Sequence, residues 1–261
     1  MDKFKSLEGL DKFLISTGNI LSISDITKKS NVNTSEELVD AIEFTLREFQ
    51  SNGILENQSD NILVISRHND NLKIDEHELS ELKIGFKVFL NEDDPDSLME
   101  AIQKALMVLK VDSIHDVIVT FKHNTTGKQN IDLSHVQNTW VVLENLIKKG
   151  QIRQIGIADI EESTFRALHG WAKVKPSIIQ INLSTCCVVP PTLQSFCKEN
   201  DIKLLTHSDP NDILPAGSIE SIFGAPLNLK WALRFLVHVK CRGVLTTKGY
   251  LLNLCKNEES V

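Results

Sequence analysis

A chain of 261 residues with 41% hydrophobic side chains can bury one substantial core, so a single domain over residues 1–261 is expected and a second is not required. A formal charge of −7 argues against a surface that tracks nucleic-acid phosphates, which draws on clustered Lys and Arg. Five cysteines, an odd and sparse set, make no secreted disulfide framework, no Cys-x-x-Cys pair marks a zinc site, and no apolar run matches a signal peptide or membrane span, so a cytoplasmic protein without bound metal is expected.

In chain order, Thr17 to Ser24 reads as a first strand. Thr34-Ser35-Glu36-Glu37 has the form of a capping box and opens a helix whose Leu38, Ala41, Ile42, Leu46 and Phe49 make one apolar stripe. Asn61 to Ser66 is a second strand, and the polar connection from His68 to Glu78 leads to a third, Ile84 to Leu90. Asp94-Pro95 supplies an N-cap and a proline at the first helical position, followed by Leu98, Ala101, Ile102, Ala105 and Leu109 at helical spacing. His115 to Phe121 is a fourth strand. Ser134 is expected to cap the next helix, with Val136, Trp140, Leu143 and Ile147 inward and Gly150 closing it.

The stretch from Ile152 to Pro191 reads as strand, helix and strand. Ile152 to Ile157 is β-branched, and Asp159 with Glu162 has the capping-box form. Phe165, Leu168 and Ala172 form a stripe with Trp171 beside it, and Pro176 stops the helix before a second run, Ile178 to Leu183. Strands joined by such a crossover lie parallel. A short helix from Pro191 to Asn200 buries Leu193, Phe196 and Cys197, and Ile202 to Thr206 is a seventh strand. Ser208 to Pro226 reads as a long loop in which Asp209-Pro210 turns the chain; the alternative is that His207, Asp209 and Pro210 line a partner surface. Leu227 to Lys240 is mostly apolar and is expected to be helical, with Val244 to Thr247 as the eighth strand. Eight strands alternating with helices predict an α/β fold, a (β/α)8 TIM-type barrel with irregular or shortened peripheral elements. Any chemistry would sit at the carboxyl ends of its strands.

Ile155-Gly156-Ile157-Ala158-Asp159, with Lys175-Pro176 and Gln180-Ile181-Asn182 after the helix, resembles the fifth and sixth strands of the aldo-keto reductase barrel. Leu183-Ser184-Thr185-Cys186-Cys187-Val188-Val189-Pro190-Pro191 and Asp201-Ile202-Lys203-Leu204-Leu205-Thr206-His207-Ser208-Asp209-Pro210 are more particular. Together with Thr17-Gly18-Asn19-Ile20-Leu21, Arg242-Gly243-Val244-Leu245 and Lys248-Gly249-Tyr250, they resemble the regulatory (modifier) subunits of glutamate–cysteine ligase, non-catalytic relatives of those reductases. The resemblance spans most of the chain.

The reductase family uses a tyrosine as proton donor, a lysine and an aspartate that tune it, and a histidine that orients the carbonyl. Strand two ends Val64-Ile65-Ser66-Arg67-His68, with neither aspartate nor tyrosine in register, and strand four ends Val119-Thr120-Phe121, with His123 two residues beyond. The one tyrosine of the chain, Tyr250, follows strand eight. Lys87 alone keeps its family position, as a vestige, so no catalytic residue is expected. By the same resemblance Gln180 matches the position that holds the nicotinamide amide and Thr247-Lys248 the segment that meets the ribose phosphate. Ala158-Asp159, however, sets a carboxylate where the family has Ser-Asn, against an anionic cofactor. No cofactor is required on this reading, and residual NADP(H) binding at Gln180 and Lys248 stays open.

The resemblance further implies a heterodimer with the catalytic subunit of glutamate–cysteine ligase, better use of glutamate and relief of glutathione feedback in glutathione biosynthesis. It also implies an intersubunit disulfide through Cys186 or Cys187. The residues themselves equally allow both cysteines to stay reduced in a small-residue corner. Two alternatives remain at this stage: an NADP-dependent aldo-keto reductase, and a barrel scaffold for another partner.

Overall fold

Helical and strand periods alternate along the chain, and the computed structural model shows where each prevails. It describes residues 10–29, 32–51, 61–67, 72, 74, 79–91, 94–122, 131–184 and 188–256. The strands are β1 Lys12–Ser16, β2 Ile62–Ser66, β3 Leu82–Leu90, β4 Ile114–Phe121, β5 Ile152–Ala158, β6 Ile178–Asn182, β7 Lys203–His207, β8 Leu227–Val239 and β9 Val244–Lys256. The helices are α1 Ser24–Thr27, α2 Thr34–Ser51, α3 Pro95–Leu109, α4 Leu133–Lys148, α5 Glu162–Trp171, α6 Pro191–Glu199 and α7 Ala216–Phe223.

From β3 to β7 the strands are parallel and stand side by side in chain order, each joined to the next through one of α3 to α6. This is the strand-helix alternation that the sequence predicts, with its helices packed on one face. Phe86, Val88, Val117, Val119, Ile155 and Ile157 meet Leu98, Ile102, Trp140, Leu143, Phe165 and Leu168 there, and all are buried. Asp94 caps α3 as expected, its carboxylate accepting from the N–H groups of Asp96 and Ser97. For α4 the cap is Asp132, whose side chain accepts from Ser134 N, and not Ser134 itself. Glu144 of α4 holds the turn after α5, accepting from the N–H groups of Lys173 and Val174 at 2.7 and 2.9 Å.

The other sector departs from expectation. Leu227–Val239 is a strand, not a helix, and it forms a long antiparallel hairpin with β9, which runs well past the expected end at Thr247. The hairpin lies between β1 and β3, and β2 pairs with β1, giving the order β2-β1-β9-β8-β3-β4-β5-β6-β7. The reason lies in the apolar pattern. A bulge between Leu229 and Trp231 sends Leu227 and Leu229 to one face and Trp231, Leu233, Phe235 and Val237 to the other, so the strand is apolar on both faces. Such a run reads like a buried helix when only its composition is considered.

On the far face, α2 and α7 cover the second core. Leu38, Ala41, Ile42, Ile219, Ile222 and Phe223 pack over Phe13, Ile15, Leu63, Ile65, Ala232 and Leu252. Thus the expected loop from Ser208 to Pro226 contains α7, stopped by Gly224 at φ 68°. The first strand precedes its expected place, because Gly18 at φ 63° ends the extended run that Phe13 and Ile15 begin. The α/β class therefore holds, as one sheet of nine strands rather than eight that runs from β2 to β7, and the departure from regular alternation lies within it, where the hairpin of β8 and β9 separates β1 from β3. No helix among the described residues is long and apolar enough to cross a membrane.

Candidate functional site

At the carboxyl ends of β3, β5 and β7, side chains from five elements converge on Asp209. Lys87 lies on β3 between Phe86 and Val88 and projects to the face away from α3, where its amine meets Asp209 Oδ2 at 2.8 Å. Arg234, the ladder neighbour of Lys87 on β8, grips the same carboxylate with two nitrogens, at 2.6 and 3.1 Å. Thr34 at the start of α2 donates to Asp209 Oδ1 at 2.9 Å, and Asn182 at the end of β6 donates to its carbonyl at 2.8 Å. The Asp209 N–H donates to Nδ1 of His207 at 3.1 Å, so the neutral ring carries its proton on Nε2, which meets Asp159 Oδ1 at 2.8 Å. Thr120 closes the chain by donating to Asp159 Oδ2 at 3.2 Å.

The electrostatics follow from burial and pairing. Burial opposes ionisation of Asp209, but His207, Arg234 and Lys87 outweigh it and hold the carboxyl far below the usual carboxylate range. Burial pulls the Lys87 amine below the usual lysine range, with Asp209 offsetting only part of the effect. Burial alone would lower His207, yet its hydrogen bonds to Asp159 and Asp209 carry it above the ordinary imidazole value. Two cations, Lys87 and Arg234, thus face two carboxylates, Asp209 and Asp159, and the groups neutralise one another. The recess beside them, lined in part by Phe89, Thr120 and Asp159, has a volume of about 20 Å³. That is room for about one water molecule.

Tyr250 shares this row, since it pairs with Arg234 across β8 and β9 as Arg234 pairs with Lys87. Arg234 stands between the phenol and the lysine. The Tyr250 hydroxyl donates to Glu37 at 2.6 Å, and the Lys248 amine also meets Glu37 at 2.7 Å. Burial raises the phenol well above its ordinary value, which makes it a weaker proton donor.

Of the residues singled out in the sequence, Lys87 is brought to the centre. Gln180 lies on β6 and Lys248 on β9, with β5, β4, β3 and β8 between them in the ladder. Cys186, Cys187, His68 and His123 lie outside the described residues. Asp159 does not cap α5: the N-cap position is Glu161, and Asp159 adopts φ 60°, which turns its carboxylate toward His207. Likewise Thr34 and Glu37 do not box the start of α2. Asn33 accepts from the Glu36 N–H, freeing both side chains for Asp209 and for Tyr250 with Lys248. The expected Asp209-Pro210 turn residue is the hub of the cluster. Arg234 was hidden inside the expected helix, and the usable signal was a lone arginine in a two-sided apolar run, since buried guanidinium groups are paired.

The chain is similar to known proteins as follows. The aldo/keto reductase family model matches residues 66–209. The chain is 36% identical over 252 residues to the glutamate–cysteine ligase regulatory subunit of Homo sapiens, covering 91% of this chain and 90% of that protein. It has the same identity and coverage with the Mus musculus protein of that name. A putative glutamate–cysteine ligase regulatory subunit of Schizosaccharomyces pombe is 24% identical over 273 residues, 89% of this chain and 95% of the other. Among solved structures, an aldo-keto reductase enzyme from a Medee basin deep-sea metagenome library aligns with a TM-score of 0.40 at 19% identity, over 51% of this chain and 44% of that one.

Proposed function

The chain belongs to the aldo/keto reductase family and, within it, to the glutamate–cysteine ligase regulatory subunits, and from that premise we propose that it works by binding the catalytic subunit of the ligase in the cytoplasm. The observation that carries this reading is a match extending over nine-tenths of both chains. A regulatory partner needs no chemistry of its own. If it binds one conformer of the catalytic subunit preferentially, a coupling of about 1–3 kcal/mol changes a ligand's apparent affinity by about 5- to 150-fold. The expected effect is easier saturation by glutamate and weaker inhibition by glutathione. Kinetics of the purified catalytic subunit with and without this chain test it, and identical glutamate and glutathione responses would sink the proposal.

The site supports a non-catalytic role. Lys87 is committed to Asp209, the Tyr250 hydroxyl to Glu37, and Arg234 separates the two, so the reductase tetrad has no working equivalent on this reading. Lys248 is committed to Glu37 and Gln180 stands apart from it, which supports a chain that requires no NADP(H). Turnover of a carbonyl substrate with NADPH that is abolished by Lys87→Met would overturn this part. A covalent link through Cys186 or Cys187 belongs to the same proposal. On non-reducing gels the heterodimer band should vanish with Cys186→Ser or Cys187→Ser.

A further inference from the structure

We propose that a strand of the catalytic subunit adds to the free edge of β7, an assignment that rests on the heterodimer reading above. The side of β7 that is open follows from its pairing with β6. The Lys203 N–H donates to the Ser177 carbonyl and the His207 carbonyl accepts from the Leu183 N–H, each at 2.9 Å. In a parallel pair the N–H and C=O of one residue point the same way and successive residues alternate. Lys203, Leu205 and His207 therefore bond toward β6, while Leu204 and Thr206 turn their N–H and C=O groups to the opposite side. That side has no strand against it among the described residues, because β7 ends the ladder.

An edge of this kind is ordinarily blunted by proline, by a bulge or by charge, and β7 has only Lys203 at its first position. It carries one exposed large apolar side chain instead, Leu205, which is 40% exposed. The other end of the ladder differs: β2 alternates cleanly and buries Leu63 and Ile65 beneath α2. Two donors and two acceptors on alternate residues fit an extended strand, and Leu205 beside them fits an apolar side chain on that strand. The occupant is the catalytic subunit because the relatives of this chain are named as subunits of a ligase.

Thr206→Pro removes one outward N–H without touching the β6 ladder, and it keeps Leu205 extended. Leu205→Lys places a charge on the exposed apolar position. Each variant, titrated calorimetrically against the catalytic subunit, should bind about tenfold or more weakly than wild type. Far-UV circular dichroism and the melting midpoint of the isolated chain should be unchanged. Should Thr206→Pro fail to fold, Leu205→Lys decides, since that position is already 40% exposed and can carry a charge to water. Wild-type affinity in folded variants overturns the edge assignment alone. No binding by the wild-type chain overturns the heterodimer reading with it. Self-association that both variants abolish, with partner affinity intact, would assign the edge to a second copy and overturn the proposal.

Discussion

Asp209→Asn keeps the shape of the side chain at the centre of the cluster and deletes its charge. The side chains of Lys87 and Arg234 are 5% and 12% exposed, so neither can swing into water when the carboxylate is lost. Removing one partner of a buried ion pair costs about 3–5 kcal/mol, because the remaining charge is left uncompensated. For a chain of this length each kcal/mol corresponds to about 2–4 °C, so the melting midpoint should fall by about 6–20 °C. Urea unfolding at pH 7, followed by tryptophan fluorescence, measures the loss directly. Adding Lys87→Met removes one of the two stranded cations and should recover part of it, with a coupling of about 0.5–3 kcal/mol between the two positions. The acid limb gives a second check. A carboxyl depressed by folding contributes stability above its unfolded value of about 3.9, and that contribution is lost as pH falls toward the folded value. Wild type should therefore weaken below about pH 4 more steeply than Asp209→Asn. A variant within about 0.5 kcal/mol of wild type at pH 7, with an unaltered acid limb, would refute the reasoning.

His207 supplies the opposite sign. Its raised value means that its contribution is complete below about pH 6.5 and is lost as pH rises through the folded value, so a urea-midpoint series from acid to alkaline pH should be flatter for His207→Gln. Glu144→Ala removes the buried acceptor shared by the N–H groups of Lys173 and Val174; equilibrium unfolding should show a loss of about 1–3 kcal/mol, and an unchanged midpoint would exclude the clasp. Gly249→Ala drives a Cβ into the Gly18 carbonyl and the Phe235 ring, and differential scanning calorimetry should register about 1–3 kcal/mol of destabilisation from overpacking.

The glycine clash also shows what distance along the chain conceals. Thr17-Gly18-Asn19 and Lys248-Gly249-Tyr250 stand out separately in the sequence. In the fold Asn19 Oδ1 accepts from the Lys248 N–H and Thr17 Oγ1 from the Tyr250 N–H, so the two motifs are halves of one contact. Local signals succeeded where one face of an element is buried. Asp94-Pro95 opened α3, the stripe of Phe165 and Leu168 built α5, and the β-branched run at Ile152 made β5, because period and capping are short-range physics.

Long-range pairing decided the rest. Nothing short of the assembled sheet says that Leu227–Val239 joins β3 and β9, since a run apolar on both faces satisfies a buried strand and a buried helix alike. The cluster is legible in part for the same reason. Family position pointed to Lys87, whereas Asp159, Thr34 and Asp209 each carry a plausible local role as cap or turn that hides a distant partner. Sequence alone determined the α/β class, the strand-helix alternation and the kinship, because these rest on periodicity and motif. Only the tertiary structure decided which charges meet, because a buried carboxylate takes whichever cations the completed fold brings within reach.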